Sequence, residues 1–130
     1  MYKTVKIAMN EVGYLEKETP DDLYDKEANA GDKNFTKYAA EMDDNFGFYI
    51  GAKQGLPWCD VFVDWCFVKA YGPSMARKLL CQPILSRGAG CKYSMAYYED
   101  ANQLYETPEI GDQIFFQKDG KICHTGLVVD

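Results

Sequence analysis

One cysteine and one histidine in this sequence stand where a thiol nucleophile and its base would have to stand. Cys59 lies at the start of a strongly apolar run, Trp58 to Tyr71, in the first turn of what reads as a helix. Unpaired backbone N–H groups at a helix start favour negative charge, so the position favours a reactive thiolate. The same groups suit the oxyanion that forms when a carbonyl is attacked. His124 is the only histidine of the chain and falls early on a run of strand character, just before Thr125-Gly126. Imidazole is the usual partner of a thiol near neutral pH, so a histidine base for Cys59 within this chain has to be His124. Each residue also has a plainer reading when taken alone: a free cysteine is commonly a small buried hydrophobe, and a single histidine is commonly a surface or core residue.

Around this pair, Trp58 adjoins the cysteine and is expected to form one wall of a cleft. Gln54, a few residues upstream, is a candidate side-chain donor to an oxyanion. Asp60 and Asp64 lie four apart on the same run and are expected to favour the helix start and solvate its outer face. Tyr93, Tyr97 and Tyr98 are expected to serve as core or amphipathic cover. The other cysteines, at 66, 81, 91 and 123, contain no C-x-x-C pair, which argues against structural zinc. Mostly reduced thiols are expected, and no metal or cofactor.

The elements that must position these residues are legible in the pattern. Val5, Ala8, Met9, Val12 and Leu15 recur at helical spacing and predict an amphipathic helix ending near Lys17. Glu18 to Lys33, with Pro20, Asn29 and Gly31, reads as a long surface connection. A second helix is predicted from Asn34 as N-cap, with Phe35, Tyr38, Ala39 and Met42 on its buried side. Glycines and Pro57 interrupt Asn45 to Pro57, and the apolar run then reads as a helix closed by Gly72-Pro73. Further helices are predicted at about Ser74 to Leu80 and Cys91 to Asn102. After Pro108 the period changes: Gln113 to Gln117 and Ile122 to Val129 flank Lys118-Asp-Gly-Lys121, a hairpin with Asp119-Gly120 at the turn. Helices first and an antiparallel sheet last make an α+β domain.

With 130 residues, 47% of them hydrophobic and 15% aromatic, the chain suits one domain with a real core. Its formal net charge of -6, with lysines and arginines scattered, disfavours a nucleic-acid or anionic-membrane partner. Met1 to Lys17 has no continuous apolar core and no small-residue cleavage site, and no segment approaches a membrane span. Synthesis in the cytoplasm without a signal peptide is the corresponding expectation.

The blocks Trp58-Cys59-Asp60-Val-Phe-Val-Asp64-Trp65, Pro108-Glu-Ile-Gly111-Asp112-Gln-Ile-Phe-Phe116 and His124-Thr-Gly126-Leu-Val-Val129 together resemble the three sequence blocks of CHAP domains. These are cysteine- and histidine-dependent amidohydrolases and peptidases of papain-like fold, found in phage endolysins and bacterial autolysins. The resemblance covers Asn34 to Asp130, leaving an N-terminal helix and connection at 1–33. It implies Cys59 as nucleophile, His124 as base, no metal, and hydrolysis of an amide bond in peptidoglycan. That bond lies either between the glycan lactyl group and the first alanine or within the stem or cross-bridge peptide. Calcium-binding members use an acidic loop before the cysteine; Asn45 to Pro57 holds no carboxylate, so no calcium site is carried over.

The family also places an Asn, Asp or Glu that orients the histidine on the strand after the histidine strand, and this sequence stops at Asp130. The expectation is therefore a C-terminally truncated domain lacking its last strands. As these 130 residues it would be weakly active or inactive, unless a missing segment or a partner chain completes it. The competing expectation is a non-catalytic remnant that binds cell wall or a partner chain.

Overall fold

A computed structural model describes residues 2–84 and 90–130. In chain order its elements are α1 (Lys3–Asn10), α2 (Lys37–Glu41) running into a π-helical turn (Met42–Phe46), α3 (Cys59–Tyr71), α4 (Pro73–Leu79), α5 (Cys91–Asp100), β1 (Gln113–Lys118) and β2 (Lys121–Leu127). Among the described residues the sheet has two antiparallel strands. The α+β class stands.

Helix α3 is the axis of the fold. Val61, Val63, Trp65, Cys66, Phe67 and Val68 are all buried, so the helix is apolar around most of its circumference and must be enclosed by its neighbours. Helices α1, α2, α4 and α5 and strand β2 all pack against it. Removing a valine or larger side chain of this kind from water stabilises the fold by about 1.5–3 kcal/mol each. Gly72, at φ +82°, ends the helix, and Pro73 takes the first position of α4, where its missing N–H costs nothing. Both ends of α3 thus fall where the punctuation of the sequence puts them.

The hairpin also follows its local chemistry. Asp119 and Gly120 have φ of +52° and +78°, the pair of positive values that a two-residue turn needs to match the twist of its strands. The register pairs Phe116 with His124, Phe115 with Thr125 and Gln113 with Leu127. Along β2, Thr125 is buried and His124 is exposed.

Three expectations need correction. First, α1 stops at Asn10, and the chain turns through Gly13 at φ +94°, so Met9, Val12 and Leu15 are exposed rather than a continuous buried stripe. Second, Thr36, not Asn34, caps α2: its hydroxyl accepts from the Ala39 N–H at 3.2 Å, while Asn34 sits at φ +64° two residues before the extended backbone of Thr36. Third, Asp60 and Asp64 do not solvate an outer face. Both are fully buried. The Glu18 to Lys33 connection does run over the surface, stitched to a core residue. The fully buried Lys17 donates to the carbonyls of Asp25 and Ala28, and its backbone bridges to Ala30 and Phe35.

Candidate functional site

The pair that could do chemistry lines one cavity without touching. A cleft of about 700 Å³ is lined by α1, by the approach to α3 and by β2; Cys59 and His124 both contribute to its wall. Its other walls are mostly apolar and aromatic: Trp58, Tyr14, Tyr38 and Phe62 on one side, Leu127 and Val129 on the other. Trp58 stacks on Tyr38 with ring centroids 5.6 Å apart, and its indole N–H points at Glu16 at 3.4 Å. Trp58 therefore lies in the wall beside the cysteine.

Cys59 is the first residue of α3. Its N-cap neighbour Trp58 has no side chain that accepts from the first turn, and the first intrahelical bond runs from Phe62 N–H to Trp58 O at 2.8 Å. The backbone N–H groups of the first turn are thus left without a capping side chain at the edge of the cleft. The thiol does not hydrogen-bond His124. Its contact is with a second thiol, Cys91, at 3.6 Å between sulfurs. His124 in turn stacks on Phe116, centroids 5.7 Å apart and planes 23° from parallel. Among the described residues no side chain forms a hydrogen bond with the imidazole.

Gln54 lies elsewhere. Its carbonyl oxygen accepts from Thr36 N–H at 3.0 Å and its amide donates to Thr36 O at 2.9 Å, so both ends are spent on holding the chain before α2. It does not line the cleft. The role of an oxyanion donor is corrected to that of a backbone clamp.

A polar network that the sequence reading missed fastens the two halves of the site together. Ser94 Oγ on α5 donates to Asp60 at 2.6 Å, and Gln113 Nε2 on β1 donates to the other Asp60 oxygen at 2.9 Å. Gln113 Nε2 also donates to Thr125 Oγ1 at 3.0 Å, Tyr98 OH donates to Gln113 Oε1 at 2.9 Å, and Thr125 Oγ1 donates to Ile114 O at 2.7 Å. Asp60 follows Cys59 and Thr125 follows His124, so the chain Asp60–Gln113–Thr125 sets the helix start against the histidine strand. A signal was present: two acids inside a run otherwise apolar on every side have to be buried, and buried carboxylates have to be hydrogen-bonded.

No family model, curated protein or solved structure matches the chain. The reading of the site therefore rests on its own chemistry.

Burial raises the Asp60 carboxyl above the ordinary range despite its donors. One turn on, burial and then the charge of Asp60 hold Asp64 well above that range, although Tyr49 OH and Gln82 Nε2 both donate to it. The folded state thus holds these protons more tightly than the unfolded chain does. The stability they contribute is whole below the ordinary aspartate pKa and is lost as pH rises through the raised folded values. Asp64→Asn keeps the shape and an acceptor for Gln82 but carries no charge. Its unfolding free energy is expected to fall less than that of the native chain as pH rises from the ordinary aspartate range into the neutral range. Urea unfolding at both ends of that rise checks this; an equal slope in the two proteins would contradict it.

Proposed function

We propose that this chain is a cysteine-dependent hydrolase of CHAP type and papain-like arrangement that cleaves an amide bond of peptidoglycan. The observation that carries the proposal is the shared cleft: a cysteine at the first residue of a buried central helix, and a histidine on an antiparallel strand packed against that helix. Both line one cavity with aromatic walls. That order matches the block order of the sequence resemblance, helix cysteine before strand histidine.

In the proposed reaction the His124 imidazole leaves Phe116, turns toward the cleft and takes the Cys59 proton. The thiolate attacks the amide carbonyl, and the N–H groups of the first turn of α3 receive the oxyanion. Collapse expels the amine, which leaves with the proton from His124, and an acyl-enzyme remains. His124 then activates water to release the acid. The aromatic wall of Trp58 and Tyr14 offers faces for the apolar side of a sugar or a peptide. The net negative charge of the chain suits neither a phosphate backbone nor an anionic membrane. The described residues include no helix long and apolar enough to cross a membrane.

A second reading has one specific observation behind it. Among the described residues His124 has no hydrogen-bonded partner to fix its tautomer and direction. Loss of the orienting group in a comparable triad slows turnover by about 10⁴-fold without removing the nucleophile. Turnover is accordingly expected to be slow, and the limiting case is a chain that binds cell wall, or a partner chain, without cutting.

Incubation with purified peptidoglycan, followed by mass spectrometry of the soluble fraction, separates these readings. Stem peptides with a free N-terminal alanine identify an amidase, and new termini within the stem or cross-bridge identify an endopeptidase. Co-sedimentation with the wall and no new termini after prolonged incubation would reject hydrolysis in favour of binding.

A further inference from the structure

All five cysteines are free thiols, and among the described residues Cys59 and Cys91 are the pair in contact. Their sulfurs are 3.6 Å apart, and both residues are half-buried. A disulfide needs about 2.05 Å, so small adjustments of two side chains would close the gap. The helix starts that carry them are held beside each other. Cys59 is the first residue of α3 and Cys91 the first of α5, and the Ser94–Asp60 hydrogen bond ties the first turn of one helix to the first turn of the other. Cys66 is buried in the core and Cys123 is exposed on β2, where its sulfur donates to the Phe116 carbonyl. Neither has a thiol neighbour.

We propose that Cys59 and Cys91 form a reversible disulfide, which makes the thiol facing the cleft a site of oxidative modification with Cys91 as its resolving partner. The inference stands on the sulfur contact and the helix geometry, and does not require that Cys59 be a nucleophile toward amides. The oxidant is a peroxide. Cys59, as thiolate, attacks one peroxide oxygen; the O–O bond breaks, Cys59 becomes a sulfenic acid, and hydroxide leaves to be protonated to water. The Cys91 sulfur, giving up its proton, then attacks the Cys59 sulfur; the S–O bond breaks and the oxygen leaves as a second water. Two thiols and one hydrogen peroxide thus give one disulfide and two waters, and two reducing thiols reverse it. Burial and the neighbouring Cys59 sulfur push the Cys91 thiol up to about 12, so Cys91 enters the second step as a thiol that must lose its proton.

The test uses the reduced chain, about one equivalent of hydrogen peroxide, trapping of free thiols with iodoacetamide, and peptide mass spectrometry without reduction. The expected product is a Cys59–Cys91 linked peptide, with both sites lost from the alkylated pool, Cys66, Cys81 and Cys123 retained in it, and dithiothreitol restoring both. Cys91→Ser is a near-isosteric change at a helix start. It should give no link and should let Cys59 run on to the sulfinic acid, which dithiothreitol does not restore. Wild-type Cys59 reaching the sulfinic acid while Cys91 stays alkylatable would overturn the proposal, as would links made chiefly to Cys81 or Cys123. The readout needs no cell-wall substrate. A chain that forms the link but releases no wall fragments defeats the hydrolase reading alone, and one that releases fragments but forms no link defeats this inference alone.

Discussion

Cys59→Ala is expected to reduce the release of peptidoglycan fragments to the level seen without protein, a loss on the order of 10³-fold or more, and His124→Ala is expected to do the same. Neither substitution removes a core contact. Cys59 is half-buried at the cleft edge, and His124 is exposed with its ring against Phe116. Both variants should therefore unfold in urea close to the native midpoint, which separates lost chemistry from lost fold. The sharper measurement is the double variant. A nucleophile and its base act as one unit, so removing both is expected to cost no more than removing either. Independent, multiplying losses would mean that the two residues serve different steps, and release undiminished in Cys59→Ala would refute the cysteine mechanism. Because no partner orients His124 among the described residues, native turnover itself is expected to be slow. Product counting by mass spectrometry over long incubation is the appropriate measurement, rather than the clearing of a turbid suspension.

What the sequence made legible was local. The start and stop of α3 are written in Pro57, Gly72 and Pro73, and the hairpin in Asp119-Gly120 between two β-type runs. These features need only nearest-neighbour sterics. The failures share a different cause. Asn34 and Thr36 are both good N-cap residues, and what selects Thr36 is Gln54, which grips its backbone from 18 positions away. The π-helical turn after α2 ends in Gly47 at φ +53°, while Asp43 within it accepts from the N–H groups of Lys53 and Gln54, contacts that no periodicity encodes. The site divides in the same way. Cys59 and His124 are candidates by type and by position within their own elements. Ser94 and Gln113, which reach Asp60 from 34 and 53 positions away, are not. Nor is Cys91, which meets Cys59 only because two helix starts converge. The bounds of α3 and of the hairpin were readable; the pairing of side chains between helices required the packed structure.

Tyr38→Ala is expected to cost about 3–5 kcal/mol, the range for emptying a large aromatic site in a packed core. Tyr38 is 1% exposed and is the hub of an aromatic cluster, with ring centroids 4.8 Å from Tyr14, 4.9 Å from Phe62, 4.8 Å from Trp65 and 5.6 Å from Trp58. Its hydroxyl donates to Glu11 at 2.9 Å, and Glu11 also holds Lys37 at 2.7 Å. Truncation would therefore strip dispersion contacts from four rings and take a donor from a partly buried carboxylate. Domains of this size are commonly stable by only about 5–15 kcal/mol, so the variant is expected to be close to unfolding at room temperature. Tyr38→Phe separates the two contributions: the ring stays, one hydrogen bond goes, and the expected cost is about 1 kcal/mol. The chain has two tryptophans, and both Trp58 and Trp65 pack on Tyr38. Intrinsic fluorescence thus reports directly on this cluster during urea unfolding. Emission from folded Tyr38→Ala should shift to the red as water reaches the Trp58 wall, whereas Tyr38→Phe should keep the native maximum. A Tyr38→Ala loss below about 1 kcal/mol would mean that the aromatic cluster is not the structural support of the cleft. The Trp58 wall would then owe its position to Glu16 and the α3 start, and not to the ring beneath it.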